Sequence, residues 1–296
     1  MTHNQKPPRI VSNWPPARTL LSAALAVAAL LLAACGEDEK EGGAETGASI
    51  EHVHGLGANP KDGALFIATH GGLFRSPEGS SGATPVGEER QDTMGFTVVG
   101  PDSFLGSGHP APGEEGRPPN LGLIESTDGG QTWEDVSLSG EVDFHILRFA
   151  GGRVYGVDAL TGQLLISDDK GSTWAERSPP PGLIDLAIDP RDSERMLAST
   201  ENGLLLSDDD GERWRPLARE VGLLAWAKPQ SLLLIDAGGS VKTSGNGGAS
   251  WQQIGSIDSQ PAAFAASGSS LYAAGIDGTV LESKDDGATW DVRSAQ

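Results

Sequence analysis

The chain carries six histidines, and five of them stand where they could do chemistry. His52 and His54 are two apart in EHVHGL, a spacing that sets both rings on one side of an extended strand. His70 closes the segment ALFIATH, His109 closes SFLGSGH, and His145 opens a segment with Asp143 two residues before it. Met94 opens another such segment between them. Imidazoles with a carboxylate form a donor set for zinc, and imidazoles with a thioether suit copper. The other reading is that these histidines satisfy turn backbone or line a polar channel mouth and bind nothing. Spacing alone leaves both readings open.

The elements that must position them follow from an eight-residue phrase: STDGGQTW at Ser126–Trp133, SDDKGSTW at Ser167–Trp174, SDDDGERW at Ser207–Trp214, SGNGGASW at Ser244–Trp251 and SKDDGATW at Ser283–Trp290. Successive closing tryptophans are 41, 40, 37 and 39 residues apart, about the length of one four-stranded propeller blade. Before each phrase lie short alternating apolar segments broken by Gly, Asp, Asn or Pro, as expected of strands joined by tight turns. Upstream, SPEGSSGA from Ser76 is a degenerate copy without the tryptophan, in keeping with an atypical terminal repeat. The unit ending at Trp133 begins near Met94 and carries an insertion, HPAPGEEGRPPN, from His109 to Asn120. The expectation is an all-β domain over residues 49–296, a six-bladed propeller of four-stranded blades. In such a ring the phrases fall on one face. The starts of the first strands and the ends of the second strands, where all five histidines lie, fall on the other.

The phrase resembles the Asp-box, or BNR repeat, of sialidases and of many non-enzymatic propellers, among them sortilin-type receptors and photosystem assembly factors. HVHGL, ATHGGLF and SGHP also look like stretches of small exported Asp-box proteins labelled glycosyl hydrolase-like. In the residues themselves, Asp128, Asp169, Asp209, Asn246 and Asp285 can accept bonds from the amides of their own turns. Trp133, Trp174, Trp214, Trp251 and Trp290 can fill space between sheets. All ten therefore read as scaffold. A sialidase would need an arginine cluster and a tyrosine nucleophile with a carboxylate partner. The two tyrosines, Tyr155 and Tyr272, lie early in second strands, near the wrong face, and no arginine trio is suggested. A glycoside hydrolase of another kind needs only two carboxylates across a cleft, and Asp158, Glu201 and Asp236 at the ends of second strands could supply them.

The first 34 residues read as an export leader: Lys6, Arg9 and Arg18 precede an apolar run over Thr19–Leu32 that is short for a membrane span. It ends Leu32-Ala33-Ala34-Cys35, similar to the lipobox of bacterial lipoproteins, with Cys35, the sole cysteine, as the lipidated residue. Residues 35–48, acidic and Gly-rich, are expected to be a disordered tether. The formal charge of −20 argues against nucleic acid and anionic lipid headgroups as partners and favours cations or basic protein surfaces. The expectation is a monomer tethered by lipid to a bacterial membrane and facing outside the cytoplasm. It would act as a binding or assembly module for a protein or glycan ligand, with copper or zinc as its metal and a glycoside hydrolase as the alternative.

Overall fold

A computed structural model describes residues 50–295. The expected leader over 1–34 and the lipidated cysteine and tether over 35–48 lie outside the described residues. Within them the chain folds as expected, an all-β ring of six blades with four antiparallel strands each. The first blade is β1 (Val53–Ala58), β2 (Leu65–Thr69), β3 (Gly72–Ser76) and the two-residue β4 (Thr84–Pro85). The second is β5 (Asp92–Gly100), β6 (Ser103–His109), β7 (Leu123–Ser126) and β8 (Glu134–Ser137). The third is β9 (Phe144–Ala150), β10 (Arg153–Asp158), β11 (Leu164–Ser167) and β12 (Ala175–Arg177). The fourth is β13 (Leu183–Asp189), β14 (Asp192–Thr200), β15 (Gly203–Ser207) and β16 (Arg215–Ala218). The fifth is β17 (Leu223–Lys228), β18 (Ser231–Ile235), β19 (Ser240–Ser244) and β20 (Gln252–Ser256). The sixth is β21 (Pro261–Ser267), β22 (Ser270–Gly275), β23 (Val280–Ser283) and β24 (Asp291–Ser294). The first strand of the second blade starts at Asp92, two residues before the position read from the sequence.

A blade has two apolar faces, and each is buried against a neighbour. Phe66 and Leu73 of the first blade meet Phe96 and Phe104 of the second, and Leu123 meets Phe144 and Leu165 of the third. Tyr155 and Ile166 then meet Leu186 and Met196, and Leu197 and Leu206 meet Leu224 and Leu234. Leu233 and Val241 meet Phe264 and Leu271, and Ile67 and Phe74 close the ring against Tyr272 and Val280. Each phrase tryptophan packs between its own blade and the one before: Trp133, Trp174, Trp214, Trp251 and Trp290 each join a different one of these clusters.

The phrase holds its turn through local hydrogen bonds. Asp169 accepts the Thr173 amide at 2.8 Å and the Thr173 hydroxyl at 2.7 Å, while the Ser167 hydroxyl accepts the Gly171 amide at 2.7 Å and donates to Asp169. Asp128, Asp209 and Asp285 accept the amides of Thr132, Arg213 and Thr289 in the same way. Asn246 does so for Ser250 at 3.0 Å, which is why an amide can stand in for the carboxylate. Gly171, at φ 92°, has no alternative residue: a Cβ there would lie 2.1 Å from Leu123 of the preceding blade.

The degenerate copy in the first blade loses this network, and Ser76 is left with a buried hydroxyl that has no hydrogen-bond partner among the described residues. Arg293 of β24 compensates. It is 4% exposed and donates to the carbonyls of Ser76, Pro77 and Ser80, so the last strand of the chain clamps the turn that has no tryptophan. Arg293→Ala would leave three carbonyls short of a charged donor at the seam of the ring. It is expected to lower unfolding stability by about 3 kcal/mol, read as a lower urea midpoint with unchanged slope. A midpoint within error of wild type would refute the clamp.

Candidate metal site at the channel mouth

The six innermost strands, β1, β5, β9, β13, β17 and β21, surround a cavity of about 320 Å³. At one end of it the same local irregularity recurs. In β1 the ladder passes from Val53 to Gly55, in β5 from Thr93 to Gly95, and in β9 from Phe144 to Ile146. In β13 it passes from Leu183 to Asp185, and in β21 from Pro261 to Ala263. Each is a one-residue bulge, which twists the strand and re-aims the extra side chain. The bulged residues are His54, Met94, His145, Ile184 and Ala262. Four of them, Met94 excepted, line the cavity.

Two further sets of positions are tied to these bulges. Two residues before each bulge stand His52, Asp92, Asp143, Gly182 and Gln260. Just past the partner position on the second strand stand His70, His109, Ala159, Glu201 and Ile276, with Asp236 in the fifth blade. The two sets touch through the backbone: the amides of Ala159, Glu201 and Ile276 donate to the carbonyls of Asp143, Gly182 and Gln260. All the potential ligands of the first three blades thus occupy copies of three positions, and in the fourth and sixth blades the bulge positions are apolar.

The side chains of the first two blades converge on Asp92. His70 Nδ1 lies 2.7 Å from Asp92 Oδ1, and His54 Nε2 lies 3.9 Å from the same oxygen. Ligand atoms of His54, His70 and Asp92 all fall within 4.8 Å of one another, close enough for one metal ion. Neither His54 Nε2 nor Asp92 Oδ1 makes a hydrogen bond among the described residues, although both are buried. His70 Nδ1 and Asp92 Oδ1 form an ion pair when that nitrogen carries a proton; with the nitrogen bare, the two turn lone pairs toward common space that a cation can fill. His52, held with a positive φ of 51°, puts its ring 5.0 Å from that of His70, and the His54 ring is 4.5 Å from it.

The chain of contacts continues into the third blade. Asp92 Oδ2 lies 3.4 Å from His109 Nδ1, His109 Nε2 lies 3.4 Å from Asp143 Oδ2, and His145 Nε2 is 2.9 Å from that oxygen. Asp143 is held from below, its amide donating to Asp158 Oδ1 at 2.9 Å, and the Phe144 amide donates to the Ser107 hydroxyl at 3.0 Å. Met94 lies two residues beyond Asp92 on β5 and is half-buried.

The three carboxylates considered for glycoside chemistry are not brought together in this way. Asp158 is buried and accepts the amides of Asp143, Leu160 and Thr161 and the Thr161 hydroxyl. Asp236 accepts the amides of Gly238 and Ser240 in its own turn. Glu201 is exposed. The residue that sequence reasoning missed is Asp92. The available signal was its place two residues before Met94, the same offset as Asp143 before His145.

Burial pushes the His54 imidazole down to about 4, the neighbouring imidazole of His70 adding to the effect. His145 is raised instead, by its hydrogen bond to Asp143. Burial works against the charge of Asp143, but the hydrogen bond and charge of His145, with His109 beside it, outweigh this and hold the carboxyl below its ordinary range.

Comparison with known proteins agrees with the fold. The family model for sortilin-Vps10 (sortilin, neurotensin receptor 3) matches residues 122–237. No curated protein matches the chain in sequence. Among solved structures, the GH74 xyloglucanase of Xanthomonas campestris is similar at 18% identity and a TM-score of 0.53, over 83% of this chain and 45% of that one. An ancestral GH74 enzyme is similar at 15% identity and a TM-score of 0.53, over 83% of this chain and 39% of its own. The chain therefore spans less than half the length of either enzyme. YCF48 from Cyanidioschyzon merolae is similar at 16% identity and a TM-score of 0.50, over 82% of this chain and 85% of that one. The class so defined is the six-bladed β-propeller.

In metal-free protein, imidazole NMR should show His54 neutral down to about pH 4 and His145 protonated above the ordinary histidine range. Between about 4 and the ordinary 6.5, the unfolded chain binds a proton at residue 54 that the folded chain does not, so this residue makes stability rise with pH there. Replacing His54 with Gln should flatten that slope in urea unfolding. An unchanged slope would contradict the burial argument.

Proposed function

We propose that this propeller is a binding module of the bacterial cell envelope that holds a transition-metal ion, zinc or copper, through His54, His70 and Asp92 at the mouth of its channel. The observation that carries the reading is the convergence of His54, His70 and Asp92, whose ligand atoms lie within 4.8 Å of one another, with the buried His54 Nε2 making no hydrogen bond among the described residues. Two imidazoles and a carboxylate leave a fourth position open on a tetrahedral ion. A protein or glycan ligand would be met on this face, where the mouth opens. Met94, at the bulge equivalent to His54 and His145, favours copper over zinc if its sulfur joins the set.

The repeated phrase is read with this as an Asp-box with a structural role, and Cys35 as the lipid-bearing residue that tethers a monomeric domain over residues 49–296. If so, Cys35→Ser should abolish labelling by radioactive palmitate and leave the precursor uncleaved; a labelled variant would refute the anchor. The alternative, a glycoside hydrolase of the sialidase-like superfamily, has less support, because Asp158 and Asp236 are engaged by their own turns.

The metal reading is tested on the full-length chain, stripped with chelator and titrated with zinc and with copper(II). Stoichiometric binding is expected, weakened by roughly 100-fold or more in His54→Ala and in His70→Ala, since even outer-shell changes cost 10–100-fold. No stoichiometric uptake of either metal, or wild-type affinity in both variants, would sink it.

A further inference from the structure

We propose that the mouth holds two ions, with Asp92 as the carboxylate between them: the first on His54, His70 and Asp92 Oδ1, the second on His109, Asp143 and His145. The inference rests on the reading of the first site and adds to it a second ion and a bridge.

The carboxylate of Asp92 divides its oxygens. Oδ1 faces His70 at 2.7 Å and His54 at 3.9 Å, while Oδ2 faces His109 at 3.4 Å. Through the bond at Oδ2, Asp92 is joined to the ring of His109, whose other nitrogen faces the second site.

On the far side, Asp143 Oδ2 has His145 Nε2 at 2.9 Å and His109 Nε2 at 3.4 Å. The 2.9 Å contact is a hydrogen bond, and once its proton is displaced, ion bonds of about 2.0 to 2.2 Å, which put two ligands roughly 3 Å apart, let Asp143 share a cation with these rings. The Asp143 side chain is only 7% exposed and its Oδ1 has no hydrogen-bond partner among the described residues. A buried carboxylate with an idle oxygen is costly without a cation close by.

His109 carries the strongest constraint. Both of its ring nitrogens lie 3.4 Å from a carboxylate oxygen, Nδ1 from Asp92 and Nε2 from Asp143. A neutral imidazole has one N–H and can satisfy only one of them. With Nδ1–H donated to Asp92 Oδ2, Nε2 turns its lone pair toward Asp143 Oδ2, a repulsion that a second proton or an interposed metal cation relieves. The backbone under this half is fixed by the bonds from Asp143 and Phe144 to Asp158 and Ser107, so the ligands are held before the ion arrives.

The test uses the stripped full-length chain. Elemental analysis after gel filtration should find two zinc ions per chain, falling to one in His109→Gln and in His145→Gln with the first affinity retained. With copper(II), spin counting should give two coppers per chain, and a half-field resonance should show that they are close. This second measurement needs no variant and decides the matter if the substituted chains do not fold. One ion per chain in the wild type, kept at equal affinity by both variants, overturns the second site and leaves the first standing. Two coppers without coupling overturn it as well, since they would be ions on the acidic surface. Uptake of none overturns this inference together with the function it rests on.

Discussion

A four-stranded sheet with two apolar faces cannot leave either in water, and each blade here meets that requirement only by being pressed between two others. At about 25 cal/mol per Å² of apolar area, a side chain such as Phe104 or Tyr155, fully buried at one of these seams, is worth a few kcal/mol. No blade has a core of its own, so none is stable alone, and the ring must close for the last face to be covered. The sixth-to-first seam has Ala83 where the other seams have a tryptophan. The buried guanidinium of Arg293 supplies there what packing does not.

Ring closure also builds the site. Six copies of one supersecondary unit bring six copies of each local position to the same rim, and a bulge at the head of the inner strand turns one side chain of most copies toward the axis. Residues from different blades, far apart in the chain, are thereby set within a few ångströms, as His109 and Asp143 are at 3.4 Å. The scaffold positions are generic. What distinguishes the first three blades is that every imidazole of the propeller and the thioether occupy them, whereas the others carry Ile184, Ala262 and Ile276 beside Gly182, Glu201, Asp236 and Gln260.

The fold was legible in the sequence because the phrase acts locally. Its Asp or Asn accepts amides four residues on, its glycine needs a positive φ, and its tryptophan marks the seam, so identity and spacing together define a turn without knowledge of the rest. The histidines were legible for a related reason, since their places at segment ends fixed the face on which they lie. Asp92 was not, because the bulge lengthens β5 by one residue relative to its partner and the strand starts before the apolar run that announced it. Asp158 was misleading in the opposite way. In a chain with 41 acidic residues, a carboxylate at a strand end carries little information, and only the structure reveals that this one holds the backbone of Asp143.

The apolar half of the rim has a part in the chemistry of the other half. Ile184 and the walls beside it, Val157, Leu183 and Pro179 to Pro181, keep the surroundings of His145 poor in water-binding groups. A low-polarity wall strengthens every electrostatic interaction beside it and raises the cost of each unpaired charge. In the first blade His54 is kept neutral, with its lone pair free, by its own burial and by the imidazole of His70 beside it. A rim of polar residues all round would hydrate the same imidazoles and carboxylates and satisfy them with water. With every imidazole of the propeller on three blades and apolar residues at the bulges of the fourth and sixth, buried atoms such as His54 Nε2 and Asp143 Oδ1 find no hydrogen-bond partner among the described residues.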